Sequence, residues 1–248
     1  WKKVIKEQEI IVHLAAETGT GQSMYEAGKY NDVNVLGTSY MLDLVLNSKN
    51  SVKKIVVASS RAIYGEGKYF CSNHGTTYPL KRKEVDLQKE KFNLLCNICK
   101  SELQLVATDE KSKIYPSSIY GLTKQKKEEM VMNNLASINI EAVALRYQNV
   151  YGPGQSLCNP YTGIMSIFTT RILNQNDLEI YEDGMAIRDF IYIDDAVDAT
   201  ILGIEKKEAN GEIFNVGSGV PNTIKDVAFT LKEKYNSDID ILINKSYR

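Results

Sequence analysis

Short apolar segments alternate along this chain with longer segments of helical periodicity. Three of them are rich in valine, isoleucine or alanine, namely EIIVHLAA (9–16), KKIVVASS (53–60) and EAVALRY (141–147). Such runs are typical of strands that are buried on both faces of a sheet. Because segments long enough for helices separate them, the sequence predicts βαβ units and a doubly wound parallel α/β sheet.

The remaining elements are predicted from the same periodicities. A helix is expected where Val33, Gly37, Tyr40, Met41 and Leu44 share one face. Further helices are predicted at 116–137, 163–174, 194–207 and 223–235, and further strands at 178–181, 190–193, 212–217 and 238–243. Ligands of a parallel sheet bind at the carboxyl ends of its strands, so the functional residues are expected there.

The bulk properties exclude several classes of protein. A formal net charge of -1 gives the 248-residue chain no electrostatic reason to bind nucleic acid or an anionic membrane. No apolar run approaches the ~18 residues that a membrane span needs. The opening WKKVIKEQEI is too charged for a signal peptide, and four cysteines do not make a disulfide framework in a chain of this length. A cytoplasmic protein is therefore expected.

A tyrosine and a lysine lie four residues apart at Tyr25/Lys29, Tyr64/Lys68 and Tyr120/Lys124. Glycines interrupt the first two pairs and disfavour a helix there. The third pair, in PSSIYGLTKQKKE, begins a predicted helix, so both side chains share one face. The lysine charge is expected to lower the pKa of the phenol and make it a useful base. The alternative is a surface pair on an amphipathic helix.

Five motifs occur in order: HLAAETG, VVASSRAIYGEG, PSSIYGLTK, LRYQNVYGPG and IRDFIYIDDAVDA. They resemble the extended short-chain dehydrogenase/reductases that modify nucleotide sugars, and the resemblance covers nearly the whole chain apart from residues 66–113. More narrowly, AAETGTGQSMYEAGKYNDVNVLGT and NPYTGIMSIF resemble the dTDP-L-rhamnose 4-epimerase branch. The resemblance implies a Rossmann-like fold, bound NAD, a nucleotide-sugar substrate and a homodimer.

The same resemblance assigns roles to individual residues. It implies Ser60, Tyr120 and Lys124 as the catalytic set, with Tyr120 and Lys124 also on the cofactor beside Ala15 and Ala16, and Asn149 and Arg188 on the substrate. Arginine suits a diphosphate because its planar fork of donors matches phosphate oxygens. The alternative for Arg188 is a surface ion pair with Asp189 or Asp194.

The residues after Ser60 separate two reactions within the family. In the 4,6-dehydratases an Asp-Glu pair follows this position, whereas this chain has Arg61 and Ala62. Elimination of water needs an acid and a base beyond the tyrosine, so epimerisation is the better expectation. We therefore expect epimerisation at C4. The alternatives are another nucleotide-sugar reductase or decarboxylase, and a non-catalytic nucleotide-binding protein.

A dinucleotide fold needs a glycine-rich turn after its first strand, and none is present. GTGQSM (19–24) lacks the third glycine and follows a strand that the family places later. The family pattern implies that the first βαβ unit is missing before Trp1 and the end of the substrate lobe after Arg248. The chain alone is expected to bind NAD poorly and to be inactive, and the sequence does not distinguish NAD from NADP.

The predicted domains are a partial dinucleotide-binding domain, 1–162, and a partial substrate-binding region, 163–248, with 190–216 returning to the main sheet.

Residues 66–113 form an insertion with two chelating motifs. CSNH and CNIC supply Cys71, His74, Cys96 and Cys99, and 21 residues separate the two motifs. This spacing predicts a structural, four-coordinate zinc site that would order the insertion. The alternative is three free cysteines and a surface histidine. Cys158 is expected to be inert, and His13 is expected to be a hydrogen-bonded core residue.

Overall fold

The computed structural model describes residues 2–135, 138–157 and 163–247. Within these residues the strands are β1 (Ile10–His13), β2 (Lys54–Ser60), β3 (Tyr69–Cys71), β4 (Gly75–Thr77), β5 (Gln104–Leu105), β6 (Glu141–Tyr147), β7 (Asn149–Tyr151), β8 (Leu178–Ile180), β9 (Ile187–Tyr192), β10 (Ile213–Val216), β11 (Pro221–Thr223) and β12 (Ile241–Ile243).

The helices alternate with these strands, as the periodicity predicts. They are α1 (Lys2–Ile5), α2 (Thr20–Ser23), α3 (Ala27–Tyr30), α4 (Gly37–Asn47), α5 (Glu84–Leu87), α6 (Ile119–Leu135), α7 (Ile164–Leu173), α8 (Ile193–Glu205) and α9 (Ile224–Lys234). A π-helical segment, Asn31–Leu36, leads into α4, and a 3-10 turn, Arg61–Tyr64, follows β2.

The chain divides into two compact units. The first comprises residues 1–65, 109–148 and 194–216, and the second comprises 66–108, 149–193 and 217–248. The division differs from the predicted domains, because residues 149–162 and the insertion group with the substrate-binding region. The segment that returns to the first unit begins at Asp194 rather than at residue 190.

A parallel sheet forms the centre of the first unit. Its strand order is β1-β2-β6-β10, which confirms the predicted Rossmann-like parallel sheet. On one face Ile55 and Val57 pack in a cluster with Met41 of α4 and Val131 of α6. On the other face Gly203 of α8 lies against the opposite side chains of β2 and β6. Because both faces are covered, the strands read as nearly continuous apolar runs.

The second unit contains three small sheets. Strands β8 and β12 pair in parallel, β9 lies between β11 and β7, and β3 lies between β4 and β5. Helices α7 and α9 contribute Phe168, Ile172, Val227 and Ala228 to the core of this unit. Strand β9 pairs here and not in the main sheet, which corrects the prediction that residues 190–216 all return to that sheet.

A membrane span needs a longer and more apolar helix than any that the described residues form.

Candidate active site

Ser60 is the last residue of β2, at the carboxyl edge of the parallel sheet. Its side chain is buried and accepts a hydrogen bond of 3.2 Å from the backbone N–H of Ala62. This contact caps the 3-10 turn Arg61–Tyr64 and fixes the position of the hydroxyl. The cap explains why the strand ends at this residue, since an N-cap serine satisfies a backbone donor of the following turn.

Tyr120 lies in the first turn of α6 and is half-buried. Its backbone N–H donates to Ser23 Oγ at 3.0 Å, and its ring packs edge-on against Tyr30 with 6.3 Å between the centroids. Tyr30 is itself fixed, because its hydroxyl donates to the Thr18 carbonyl at 2.6 Å. The segment that follows β1 therefore positions the phenol.

Gly121 allows α6 to approach the turn after Ser60. A Cβ atom at this position would lie 2.6 Å from the Ala62 carbonyl oxygen and 3.0 Å from Pro116 Cβ. Only a glycine permits so close a helix–turn contact. Across this contact the Ser60 hydroxyl lies close enough to the Tyr120 phenol to act on its pKa.

Burial raises the pKa of Tyr120, while the hydrogen bond from Ser60 and the charge of Arg61 act in the lowering direction. The sequence expectation that Lys124 lowers this pKa is therefore wrong for the chain as it stands. The reason is the direction of the lysine, whose Nζ donates to the Ala58 carbonyl at 2.6 Å. The i,i+4 spacing placed both residues on one face but could not give the partner of the ammonium group.

Two lysines of α6 are buried against the carboxyl edge of the sheet. Lys124 is 3% exposed, and burial lowers its pKa to about 8. Lys127 is 0% exposed and donates to the Ala15 carbonyl at 2.8 Å. Burial, followed by the charge of Lys124, lowers the pKa of Lys127 to about 6. Sequence analysis missed Lys127, although its position one turn after Lys124 was a usable signal.

His13 and the two other tyrosine–lysine pairs have structural or surface positions. His13 is buried and hydrogen-bonds Thr38 Oγ1 at 2.9 Å, as expected of a core histidine. Tyr64 is buried between Arg146 and Asn215, with which it forms hydrogen bonds of 2.6 and 2.9 Å. Tyr25 is 91% exposed. Neither tyrosine shares the surroundings of Tyr120.

Arg188 and Asn149 belong to the second unit, on neighbouring strands. Asn149 pairs with Phe190 in the register between β7 and β9. Arg188 is half-buried and burial lowers its pKa, while Glu66, Tyr69 and Glu182 act in the opposite direction. The predicted alternative partner Asp189 instead caps the turn at Ser218, accepting from its backbone N–H at 2.9 Å.

The insertion brings its four predicted metal ligands together. The ligand atoms of Cys71, His74, Cys96 and Cys99 all lie within 4.8 Å of one another. The pKa of Cys99 is lowered to about 5, mainly by hydrogen bonds from Ser101.

Arg82, which sequence analysis missed, also lies in the insertion and forms a bidentate ion pair with Glu182 at 2.5 and 3.0 Å. Cys158 lies outside the described residues.

Known proteins resemble this chain over most of its length. The model of the NAD dependent epimerase/dehydratase family matches residues 1–88 and 100–217. The chain therefore belongs to this family, and the resemblance drawn from the sequence motifs is confirmed. Of the residues outside the match, 89–99 lie in the insertion and 218–248 follow the matched region.

Individual relatives are nucleotide-sugar epimerases. A dTDP-L-rhamnose 4-epimerase from Burkholderia thailandensis is 36% identical over 93% of this chain and 62% of its own length. The Thermotoga maritima UDP-glucose 4-epimerase structure with UDP-glucose has a TM-score of 0.75 and 27% identity, over 97% of this chain and 65% of its own. The UDP-N-acetylglucosamine 4-epimerase from Methanobrevibacter ruminantium in complex with UDP-N-acetylmuramic acid has a TM-score of 0.76 and 28% identity, over 99% and 66%. The chain spans less than two thirds of the length of these relatives.

Proposed function

We propose that this member of the NAD dependent epimerase/dehydratase family carries the catalytic residues of a nucleotide-sugar 4-epimerase. The observation that carries the proposal is the position of Ser60 beside the Tyr120 phenol at the carboxyl edge of the parallel sheet, where Gly121 lets helix α6 approach the turn after Ser60. A hydroxyl and a phenol held together at this edge can share the proton of one substrate oxygen. The two other candidate tyrosines lack this arrangement.

The residues of the first unit fit one end of NAD. Ala15 and Ala16 follow β1 at the carboxyl edge, and their small side chains leave room for a flat ligand. Ser59 is the next-to-last residue of β2, and its Oγ is buried without a hydrogen-bond partner among the described residues. A lysine ammonium carries three donors, and Lys124 gives one to Ala58, so two are left for ligand hydroxyls. When bound, NAD supplies the hydride acceptor and donor of the reaction.

Tyr120 is the proposed general base for the C4 hydroxyl, and Ser60 holds the same oxygen. Removal of that proton and of the C4 hydride leaves a 4-keto sugar, and re-protonation of the oxygen by Tyr120 accompanies return of the hydride on the other face. Burial raises the pKa of the phenol, so the positive charge of Arg61 and the Ser60 hydrogen bond are needed to favour the ionised form. The proposed role of Lys124 is to orient the cofactor, while the Tyr120 phenol transfers the proton.

Arg188 is the proposed contact for the substrate diphosphate, with Asn149 on the neighbouring strand as a further substrate contact. The support for Arg188 is its half-buried position and the partner of its guanidinium, which donates to the Ile187 carbonyl at 2.6 Å and pairs with no carboxylate among the residues that the structure describes. A dTDP-rhamnose-like sugar is the proposed substrate, because the Burkholderia relative has that name and the highest identity of the three reported above. A homodimer stays a prediction.

Substitution of the proposed base tests this function in the complete protein. Tyr120→Phe keeps the ring and removes the phenol, so turnover of a dTDP- or UDP-sugar substrate should fall about 10²–10⁴-fold. Tyr25→Phe, at an exposed position, is the matched control and should retain activity. Substrates are found by testing a panel of dTDP- and UDP-sugars for epimerisation with catalytic NAD.

The same assay separates the alternatives. An epimerase consumes no NAD over many turnovers, whereas a reductase uses one reduced cofactor for each product. Near-normal turnover by Tyr120→Phe would remove this residue from the mechanism. Complete protein without bound NAD and without turnover on the panel would favour a non-catalytic nucleotide-binding protein.

A further inference from the structure

The tight turn between β3 and β4 in the insertion carries two potential metal ligands. Strand β3 ends at Cys71 and β4 begins at Gly75, which are partners in the antiparallel register. The backbone N–H of His74 donates to the Cys71 carbonyl at 3.3 Å, so the turn brings both side chains to the same end of the hairpin. Gly75 has a φ of 71°, a conformation that glycine adopts without strain.

A second turn of similar form carries the other two ligands. The backbone N–H of Cys96 donates to the Ser101 carbonyl at 2.8 Å, and that of Lys100 donates to the Cys96 carbonyl at 3.1 Å. A bridge between Leu95 and Glu102 closes this hairpin. Two short hairpin turns that each present two ligands are the arrangement of zinc ribbons.

The distances between the ligand atoms match a tetrahedral zinc centre. Cys71 Sγ lies 3.6 Å from Cys99 Sγ and 3.6 Å from His74 Nδ1, and Cys96 Sγ also lies 3.6 Å from His74 Nδ1. With Zn–S bonds of ~2.3 Å and a Zn–N bond of ~2.0–2.1 Å, tetrahedral geometry requires about 3.8 Å between sulfurs and about 3.6 Å between sulfur and nitrogen. The complete set of ligand atoms lies within 4.8 Å, which is looser than the edges of a regular zinc tetrahedron.

We propose that Cys71, His74, Cys96 and Cys99 form a structural Zn²⁺ site. All four positions are filled by protein, so the metal orders the insertion and does not activate water. The four ligands belong to the second unit, whereas the proposed base and its serine belong to the first, and the proposal is independent of the reaction.

Polar neighbours support the charge that such a site needs. Ser101 Oγ lies 3.0 Å from Cys99 Sγ and 3.5 Å from Cys71 Sγ. Asn73 Nδ2 donates to Cys99 Sγ at 3.7 Å. Groups that hydrogen-bond ligand sulfurs orient them and stabilise the thiolate form that binds metal.

The packing of the insertion explains why it needs a metal. Within residues 66–108, the buried apolar side chains are Pro79, Leu87 and the two cysteines Cys71 and Cys96. So small a core cannot offset the entropy of ordering a loop of this length. A disulfide would use only two of the three sulfurs and would leave the histidine without a role. A metal joins both hairpin turns at one point.

Metal content of tag-free complete protein tests the proposal. Protein from zinc-supplemented medium should contain about one zinc per chain, measured by plasma mass spectrometry. Cys99→Ser changes an exposed residue and should lower the metal content several-fold without unfolding the parallel sheet. His74→Ala should do the same, and Cys158→Ser is the matched control that should keep the zinc. Replacement by Co²⁺ should give the visible absorption of a tetrahedral thiolate site.

Hydrogen exchange locates the effect of the metal. After chelation, exchange should become faster in residues 66–108 while β2 and β6 keep their protection. Wild-type protein without zinc or Co²⁺ binding, or equal metal content in wild type and Cys99→Ser, would overturn the proposal. A Cys71–Cys99 disulfide in protein isolated without reductant and free of metal would overturn it as well.

Discussion

Arg188 is held by β9 among charges that act on it in opposite directions. Glu66 and Glu182 favour its charged form, while burial and the charge of Arg82 disfavour it. A guanidinium in this position has a donor fork that a diphosphate can use, and lysine has none. Arg188→Lys should therefore raise the KM for the nucleotide sugar about 10–100-fold, as expected for loss of a hydrogen bond to a charged group.

The affinity for NAD should not change in this variant, because the proposed cofactor contacts are on other residues. Titration of both ligands by calorimetry gives the two affinities separately. Arg171→Lys is the matched control, since the Arg171 side chain is 39% exposed and donates to the Asp177 carbonyl within the same unit. An unchanged KM for Arg188→Lys would remove this residue from the substrate site, and equal loss of both affinities would indicate a folding defect.

Helix α6 approaches the turn after β2 because residue 121 lacks a side chain. A Cβ atom there would lie 2.6 Å from the Ala62 carbonyl oxygen, a backbone atom that cannot rotate away. Gly121→Ala should lower the free energy of unfolding by about 1–3 kcal/mol, since overpacking outweighs the higher helix propensity of alanine. Turnover should fall too, because the displaced helix carries Tyr120 away from Ser60. Urea denaturation and steady-state kinetics measure the two effects.

Gly37→Ala is the matched control on another helix. A Cβ atom at Gly37 would meet only the Asp32 carbonyl oxygen, at an ordinary 3.5 Å. The free energy of unfolding should therefore stay equal or rise by about 1 kcal/mol. If the Gly121→Ala protein were as stable and active as this control, α6 and the turn would accommodate a Cβ atom without loss, and the overpacking expected here would be wrong.

Elements with a strong period were predictable from the sequence, and elements that depend on distant partners were not. Strand β6 and helices α6 and α8 lie close to their predicted positions, because apolar spacing and capping residues are local signals. Strand β7 lies within a segment that reads as a turn-rich loop, since its pairing with β9 is set by tertiary contact. The same limit applies to the site: spacing identified Tyr120 and Lys124, but burial has the largest effect on the pKa of each. Spacing also could not show that the Lys124 ammonium donates to the Ala58 carbonyl.

Two buried lysines on one helix couple the stability of the whole first unit to pH. The pKa of Lys127 is about 6 in the folded chain and 10.5 as an unperturbed side chain. Between these values the unfolded chain binds more protons, so the free energy of unfolding rises as the pH rises. One such group contributes a slope of up to about 1.4 kcal/mol for each pH unit. Lys124, with a pKa of about 8, adds to the slope only at higher pH, and His13, at about 3, acts at lower pH.

Lys127→Met should therefore flatten the pH dependence of unfolding between about pH 6.5 and 8, by up to about 2 kcal/mol over that range. Methionine keeps much of the length of the side chain and carries no charge to bury. The free energy of unfolding of this variant should therefore change little with pH in that range. Urea denaturation at several pH values gives the slopes. Lys126→Met is the matched control, because Lys126 is exposed and its pair with Glu129 at 2.7 Å contributes little in water. Equal slopes in the two variants would mean that Lys127 stays protonated in the folded protein, where the carbonyl of Ala15 would then have to stabilise a buried ammonium group.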